Sequence, residues 1–229
     1  MPCCTNELIW LWLMIIDLSH PLEAGMPAYP GLPVPRFQTF MTHRESEEQK
    51  KYADGTTFQI AKYELGGNTG TYVDAPFHRH ETGEDLMRLP LTKLVNLPGV
   101  LVRAQTEGAI GADQFRNLDV DARAVLIRTD WSKRWRRDYF FSGPYLTADA
   151  CEVLVERGAT LVGIDCANID NMKDASRPAH TILLAAGIPI VEHLCDLHKL
   201  STKKFRFFAA PPAIEGGTSF PVRAFAICE

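Results

Sequence analysis

The segment from 66 to 78 holds the densest set of side chains that could do chemistry. It runs GGNTGTYVDAPFH, and its residues Asn68, Tyr72, Asp74 and His78 are separated by even numbers of positions. Because side chains on an extended strand alternate between two faces, these four are expected to share one face. A carboxylate oxygen and an imidazole nitrogen are donors that suit zinc, manganese or iron. The segment therefore predicts a metal-binding or acid–base site.

Two further residues of this segment bear on that interpretation. Gly70 removes a side chain from the shared face, which is expected to leave room for a ligand. Pro76 removes a backbone donor where the strand would enter a cleft. The alternative is that Asp74 only forms a turn before Ala-Pro and that His78 is a hydrogen-bonded structural residue. This segment by itself does not separate the two interpretations.

A second acidic side chain lies within an apolar run. In the sequence IPIVEHL at 188–194, apolar residues occupy both parities around Glu192, so the strand is expected to be buried on both sides. A carboxylate buried there without a partner would cost several kcal/mol. A metal would supply the missing charge, with His180 as a co-ligand one short helix upstream. The alternative is a buried ion pair between Glu192 and Arg177 or Arg223.

The elements that must position these residues are strands more often than helices. Strands are predicted at 57–64, 100–103, 124–128, 161–165 and 188–194. Thr147 is the predicted N-cap of a helix that stops at Gly158, and a short helix over 180–186 ends at Gly187. The pattern indicates a mixed α and β fold. Because no linker or repeat interrupts it, one domain is expected over 1–229.

Composition excludes several classes of protein. Of 229 residues, 46% are hydrophobic and 23% are charged, and the net charge is -4, so the chain can bury a core and carries no general basic charge. The densest basic run, at 133–137, is expected to be a solvated loop or an amphipathic segment. We therefore expect neither a nucleic-acid nor a membrane partner.

The first residues and the cysteines bear on location. The apolar run at 8–16 is too short to span a bilayer, and no cleavage site follows it. It predicts a buried first strand that ends near Asp17. Six cysteines without a CxxC pair indicate reduced thiols. Together these features predict a cytoplasmic protein.

Taken together, the motifs resemble the cyclase family of metal-dependent hydrolases, of the bacterial kynurenine formamidase type. The family signature His-x-Gly-Thr-His-x-Asp-x-Pro-x-His corresponds to Asn68-Thr-Gly-Thr-Tyr72-Val-Asp74-Ala-Pro-Phe-His78. The resemblance also covers DLSH at 17–20, YPG at 29–31, GID at 163–165, the pair His180 and Glu192, and SFPVR at 219–223. It therefore runs nearly from end to end.

The resemblance implies a fold, a reaction and an assembly. The fold is a single mixed α/β (α+β) domain with a central barrel-like or swivelling β core flanked by helices. The reaction is hydrolysis of the carbon–nitrogen bond of a small amide, with N-formylkynurenine, an intermediate of tryptophan catabolism, as the type substrate. The assembly is a homodimer or homotetramer.

The resemblance also implies roles for particular residues. Asp74, His180 and Glu192 correspond to the ligands of one divalent metal, zinc or manganese, and His78 to the catalytic acid–base group. At the two positions where the family has further metal-ligating histidines, this chain has Asn68 and Tyr72.

This departure leaves three outcomes open: one metal per chain, which we expect, two metals with the first bound loosely, or none. In the last case the protein would be a catalytically silent small-molecule-binding member of the family. The aromatic residues Tyr29, Phe77 and Trp131 are the candidates for holding the substrate.

Overall fold

A computed structural model describes residues 14–27, 29, 31–104, 106–200 and 204–228. Its strands are β1 (Met14–Asp17), β2 (Arg36–Met41), β3 (Ile60–Glu64), β4 (Tyr72–Asp74), β5 (Leu97–Arg103), β6 (Ala109–Ile110), β7 (Ala124–Arg128), β8 (Tyr145–Leu146), β9 (Leu161–Ile164), β10 (Ile190–Glu192), β11 (Phe205–Phe208), β12 (Ser219–Pro221) and β13 (Phe225–Cys228). Its α-helices are α1 (His43–Glu48), α2 (Ala148–Glu156) and α3 (Pro178–Ala185).

Strands from both ends of the described chain join one sheet. Its order is β1-β13-β11-β5-β7-β9-β10-β4-β12. The central strands β5, β7, β9 and β10 are parallel, whereas the strands on either side pair antiparallel. Within the described residues the edge strands β1 and β12 do not pair with each other, so the sheet is an open half-barrel. The predicted mixed α/β class with a barrel-like core is confirmed.

The central strands are apolar on both faces, as strands of a parallel sheet must be when both faces are covered. In β7, Val125 and Ile127 belong to one apolar cluster, and Ala124 and Leu126 belong to the other. Helices α2 and α3 contribute to the first cluster. In the described chain no α-helix residue belongs to the second cluster, which β1, β11 and β13 help to form, so α-helices flank the sheet on one face.

The two predicted helices are present, with small shifts of their ends. Thr147 has the extended backbone of an N-cap, although its hydroxyl donates to the carbonyl of Ile110 instead of capping α2. Gly158 follows α2 with a φ of 77°, the left-handed conformation that glycine adopts most easily. Helix α3 begins at Pro178, earlier than predicted, which places His180 inside its first turn.

The first strand differs from its prediction. Residues 8–13 of the apolar run lie outside the described residues, and β1 begins at Met14 and ends at Asp17 as expected. Strand β1 is an edge strand that pairs with β13, and Ile15 is 66% exposed. The expectation of a buried first strand is therefore wrong for Met14 and Ile15, because the start of this edge strand is left uncovered on both faces. Within the described part of the chain, no helix has the length and hydropathy to cross a bilayer.

Candidate functional site

Polar side chains converge where strands β4, β10 and β12 pair. Glu192 lies opposite Tyr72, and Ser219 lies opposite Asp74. Residues directly opposite in an antiparallel ladder project from the same face of the sheet, so these four share one face. The shared parity predicted for Tyr72 and Asp74 is therefore present. Ser219 joins them from the far end of the sequence.

The other two residues of the predicted strand reach the site differently. Strand β4 ends at Asp74, and His78 lies on a 3-10 turn that begins at Pro76, while Asn68 lies in a bend before the strand. Strand parity is therefore the wrong reason for their convergence. Gly70 has a φ of 67°, and a Cβ there would collide with Leu22. Its role is a left-handed backbone and close packing, not room for a ligand as predicted.

His78 lies at the border between the buried site and solvent. Its Nδ1 is 3.2 Å from Ser219 Oγ and 3.9 Å from Asp74 Oδ1. Its side chain is 33% exposed, whereas that of Asp74 is fully buried. An imidazole in this position can exchange a proton with a bound molecule on one side and contact the buried carboxylate on the other.

His180 approaches the same carboxylate from helix α3. Its Nε2 lies 3.6 Å from Asp74 Oδ2 and 3.9 Å from Glu192 Oε1. Its Nδ1 lies 2.6 Å from Asp170 Oδ2, and Asp170 also accepts hydrogen bonds from the backbone N–H groups of Ala179 and His180. Asp170 thus holds the first turn of α3 and the imidazole together. A carboxylate on Nδ1 favours the tautomer that turns the Nε2 lone pair toward the site.

Asp74 has one oxygen in use and one without a partner. Oδ1 accepts hydrogen bonds from the Ser219 hydroxyl and from Asn68 Nδ2, the latter at 3.1 Å. Buried Oδ2 accepts no hydrogen bond from the described residues. Donor atoms of Asp74, His78 and His180 all lie within 4.8 Å of one another. A carboxylate and two imidazoles at this spacing suit a divalent cation, which would satisfy Oδ2.

Glu192 is fully buried and has partners other than those considered from the sequence. It accepts a hydrogen bond from the Tyr72 hydroxyl on Oε2 and from the backbone N–H of Ile169 on Oε1, the latter at 2.5 Å. Arg223 instead pairs with Asp17, and the guanidinium of Arg177 donates to neutral groups. The alternative of a buried ion pair with either arginine is therefore wrong.

The pKa values show that negative charge accumulates around His180. Burial by itself would lower the pKa of His180, but the hydrogen bond to Asp170, the nearby Asp74 carboxylate and the charge of Glu192 outweigh it and raise the pKa to about 10. Burial raises the pKa of Glu192 to about 7. Burial also opposes ionisation of Asp74, yet the nearby His180 imidazole, the charge of His78 and the hydrogen bond from Ser219 leave its pKa lowered. A proton and a metal cation would compete for this position.

Asn68 and Tyr72 act as hydrogen-bond donors in the place of the family's histidines. The Asn68 amide donates to Asp74, and the Tyr72 hydroxyl donates to Glu192. Burial and the neighbouring carboxylates raise the pKa of Tyr72 well above its ordinary value, so its hydroxyl keeps its proton. A protonated phenol is a poor ligand, and it instead orients the Glu192 carboxylate.

A cavity of about 460 Å³ opens in front of these residues. It is lined by Tyr29, Gly31, Leu32, Asn68, Tyr72, His78, Arg79, Asn168, Arg177 and His180. Its volume falls within the usual range for small-molecule sites.

Of the three aromatic candidates, one lines this cavity. Tyr29 does, whereas Phe77 lines a separate groove with Glu81 and Arg88. Trp131 is buried in the core, and its indole N–H donates to the Phe140 carbonyl at 2.8 Å. The predicted substrate contacts of Phe77 and Trp131 are therefore wrong. Phe77 points away because the 3-10 turn rotates it from the face that carries His78.

Several residues of the site were not identified from the sequence as candidates. Ser219, Asp170, Asn168 and Arg79 all contact the site or its cavity. A signal existed for Asn168 and Asp170, since both follow the carboxyl end of a parallel strand, where ligands commonly bind. Ser219 opens the SFPVR motif of the family resemblance, but its contact with Asp74 could not be predicted because it depends on the pairing of β12 with β4.

Comparison with known proteins assigns the family. The cyclase family model, described as "Putative cyclase", matches residues 16–171, which is more than half of the chain. The chain therefore belongs to the cyclase family, as the sequence motifs predicted.

Among relatives, a kynurenine formamidase of Bacillus cereus is 27% identical over 210 residues, covering 91% of this chain and 95% of the relative. The kynurenine formamidase of Geobacillus thermodenitrificans is 26% identical over 211 residues, with 91% and 95% covered.

Solved structures share the fold. Isatin hydrolase A from Labrenzia aggregata superposes with a TM-score of 0.80 at 24% identity, covering 94% of this chain and 93% of that one. A structure described as a potential metal-dependent hydrolase with cyclase activity gives a TM-score of 0.76 at 26% identity, covering 95% and 98%. The expectation that the chain is a hydrolase is confirmed. The alternative of a catalytically silent binding protein gains no support from these relatives.

Proposed function

We propose that this protein hydrolyses the carbon–nitrogen bond of a small amide with one divalent metal held by Asp74, His180 and Glu192. The observation that carries the proposal is the buried Asp74 Oδ2, which accepts no hydrogen bond from the described part of the chain and faces His180 Nε2 at 3.6 Å. Two carboxylates and one imidazole form a donor set suited to zinc or manganese. The relatives named kynurenine formamidase support an amide, and specifically a formamide, as the substrate.

The steps of the proposed hydrolysis are assigned to the metal and to particular residues. When bound, the metal would supply Lewis acidity that polarises the amide carbonyl and makes water more acidic. His78 borders the cavity, so it can remove a proton from the attacking water and deliver it to the departing nitrogen. A carbon–oxygen bond forms, the carbon–nitrogen bond breaks, and a carboxylic acid and an amine result. Ser219, at 3.2 Å from His78 Nδ1, orients the imidazole.

The roles of His78 and Glu192 can be separated by experiment. In the proposal Glu192 is a ligand and His78 is the acid–base group. The compact donor group with Asp74 and His180 contains His78, so an exchange of the two roles is the rival assignment. Metal content, measured by elemental analysis of purified His78→Ala and Glu192→Gln, decides between them. The proposal requires that metal is kept in the first variant and lost in the second.

Hydrolysis of formanilide tests the proposed function. The purified protein is stripped with a chelator and then supplied with zinc or manganese, and release of aniline is followed. We expect activity to disappear on stripping and to return with either metal at about one ion per chain. A protein that binds metal but hydrolyses no small formamide, whether neutral or charged, would contradict the proposal.

Assembly and location form part of the same proposal. The family resemblance supports a homodimer or homotetramer. Size-exclusion chromatography with light scattering would measure the molar mass and so the number of chains. Cys151, Cys166 and Cys195 are free thiols, which fits a reducing cytoplasm.

A further inference from the structure

Arg177 places a positive charge in the wall of the cavity. It is the residue immediately before α3, and its φ of 48° is in the left-handed region, which is strained for a non-glycine residue. Its guanidinium donates to Asn168 Oδ1 at 3.1 Å and to the Tyr29 hydroxyl at 3.2 Å. Both acceptors are uncharged cavity residues. They fix the position of the guanidinium without neutralising it.

Arg79 places a second positive charge in the same wall. It follows His78, and its guanidinium donates to Thr181 Oγ1 and to the Ser176 carbonyl, both at 3.0 Å. These acceptors are also uncharged. Because Ser176 directly precedes Arg177 in the sequence, Arg79 is tied to the same turn at the start of α3.

Neither guanidinium has a carboxylate partner within 4.0 Å in the described part of the chain, whereas Arg128, Arg136 and Arg223 each do. The charge of Arg177 contributes to lowering the pKa of Asp174, but hydrogen bonds from Ser176 contribute more. Those bonds, from the Ser176 N–H and Oγ, hold the Asp174 carboxylate in the turn.

The cavity wall has an asymmetric charge. Among the residues that the structure describes, its lining includes two arginines and no aspartate or glutamate. The nearby acids Asp74 and Glu192 are fully buried behind Asn68 and Tyr72 and belong to the proposed metal site. The wall can therefore bind an anion through charge-assisted hydrogen bonds, but it offers no carboxylate to an ammonium group.

We propose that the substrate is an amide that carries a carboxylate and no free ammonium group, and that Arg79 and Arg177 bind this carboxylate. This inference rests on the proposed function, because it names the substrate class for the same cavity. Planar guanidinium groups match the two oxygens of a carboxylate. An N-acylated aromatic acid such as N-formylanthranilate has this chemistry, whereas formylkynurenine adds an ammonium group that the wall leaves unpaired.

The direct test compares substrates that differ in charge. N-formylanthranilate, its methyl ester and formylkynurenine are assayed with the metal-loaded protein. We expect kcat/KM for the free acid to exceed that of the ester by at least about tenfold, the effect of one charge-assisted interaction, and to exceed that of formylkynurenine. Equal values for the acid and the ester would overturn the inference while leaving amide hydrolysis intact.

Variants assign the preference to the two arginines. Arg177→Gln and Arg79→Gln should each lower the acid-to-ester ratio about tenfold, mainly through a higher KM for the acid. The matched control is Arg88→Gln, which removes a guanidinium paired with Asp85 in the separate groove and should leave the ratio unchanged. A ratio that survives both cavity substitutions would show that another group selects the acid.

A binding measurement separates this inference from the proposed function. Calorimetry compares 2-aminobenzoate with the neutral 2-aminobenzamide, neither of which needs to react. Tighter binding of the benzoate that is lost in Arg177→Gln, together with no hydrolysis of any amide, would retain the anion site and reject the proposed reaction. Equal binding of the two compounds would reject the anion site. Circular dichroism of each variant confirms that it is folded.

Discussion

Two groups of residues at the cavity, which we call the floor and the wall, lie on different kinds of structure. The floor, defined as Asp74, His180 and Glu192, is buried and rests on β4, β10 and the first turn of α3. The wall, defined as Arg79 and Arg177, comes from connecting segments and is partly accessible. Sheet pairing fixes atoms with a precision that bond-making requires, whereas loops can change without disturbing the sheet. This difference is consistent with the proposed roles, in which the floor carries the reaction and the wall selects the substrate.

The largest expected effect comes from changing the charge of the floor. Asp74→Asn keeps the size of the side chain but replaces the buried oxygen that faces His180 with a neutral amide group. We expect loss of the metal and a fall in kcat on the order of a thousandfold, since the metal would account for several kcal/mol. Elemental analysis and the formanilide assay measure both. The control Asp113→Asn changes a carboxylate that is 97% exposed and should alter neither quantity.

A smaller effect is expected at the border of the floor. His78→Ala should lower kcat about a hundred- to a thousandfold, with metal content retained, because general acid–base groups contribute on this scale. The exposed His43 provides the control. Its imidazole contacts Thr57 and is not among the residues that line the cavity, so His43→Ala should leave kcat unchanged. If His78→Ala lost the metal as well, His78 would belong to the floor as a ligand.

The third prediction enlarges the floor. Asn68→His combined with Tyr72→His restores the imidazoles of the family signature, and imidazole binds borderline metals better than a carboxamide does. We expect zinc stoichiometry, titrated into stripped protein, to rise from about one to about two per chain. The single change Tyr72→Phe is the control, because it removes the hydroxyl without adding a ligand. Two tightly bound ions in the unmodified protein would show that the asparagine and tyrosine oxygens already suffice.

The smallest expected effect concerns His20, which lies outside the floor and the wall, and it is a change in the free energy of unfolding with pH. Burial lowers the pKa of His20, which stacks on Trp135, from 6.5 to about 4. A histidine with a lowered pKa contributes stability that is fully present above pH 6.5 and is lost as the pH falls from 6.5 towards 4. Between pH 7 and pH 5 this amounts to roughly 2 kcal/mol. Urea unfolding of stripped protein should show that His20→Phe loses less stability over this interval than the unmodified protein does.

The sequence predicted best the features that depend on neighbouring residues. The apolar runs of β7 and β9, the stop of α2 at Gly158 and the shared face of Tyr72 and Asp74 were all predicted correctly. Local periodicity and backbone preference determine such features. The signature also identified the cyclase family, which the family model confirms.

The tertiary structure decided which distant residues meet. Ser219 contacts Asp74 because β12 pairs with β4. Asp170 orients the His180 imidazole because its carboxylate also binds the backbone of the first turn of α3. The sequence analysis predicted that Phe77 and Trp131 contact the substrate. In the structure Phe77 lies on a 3-10 turn, and Trp131 is packed in the apolar core.

By itself, therefore, the sequence determined the family, the central strands and the presence of two buried acidic residues, Asp74 and Glu192. The tertiary structure decided which residues hydrogen-bond to these acids, and it brought Arg79 and Arg177 together in the cavity wall. The physical reason is that strand register and loop closure join residues more than a hundred positions apart, and no local pattern encodes those pairings.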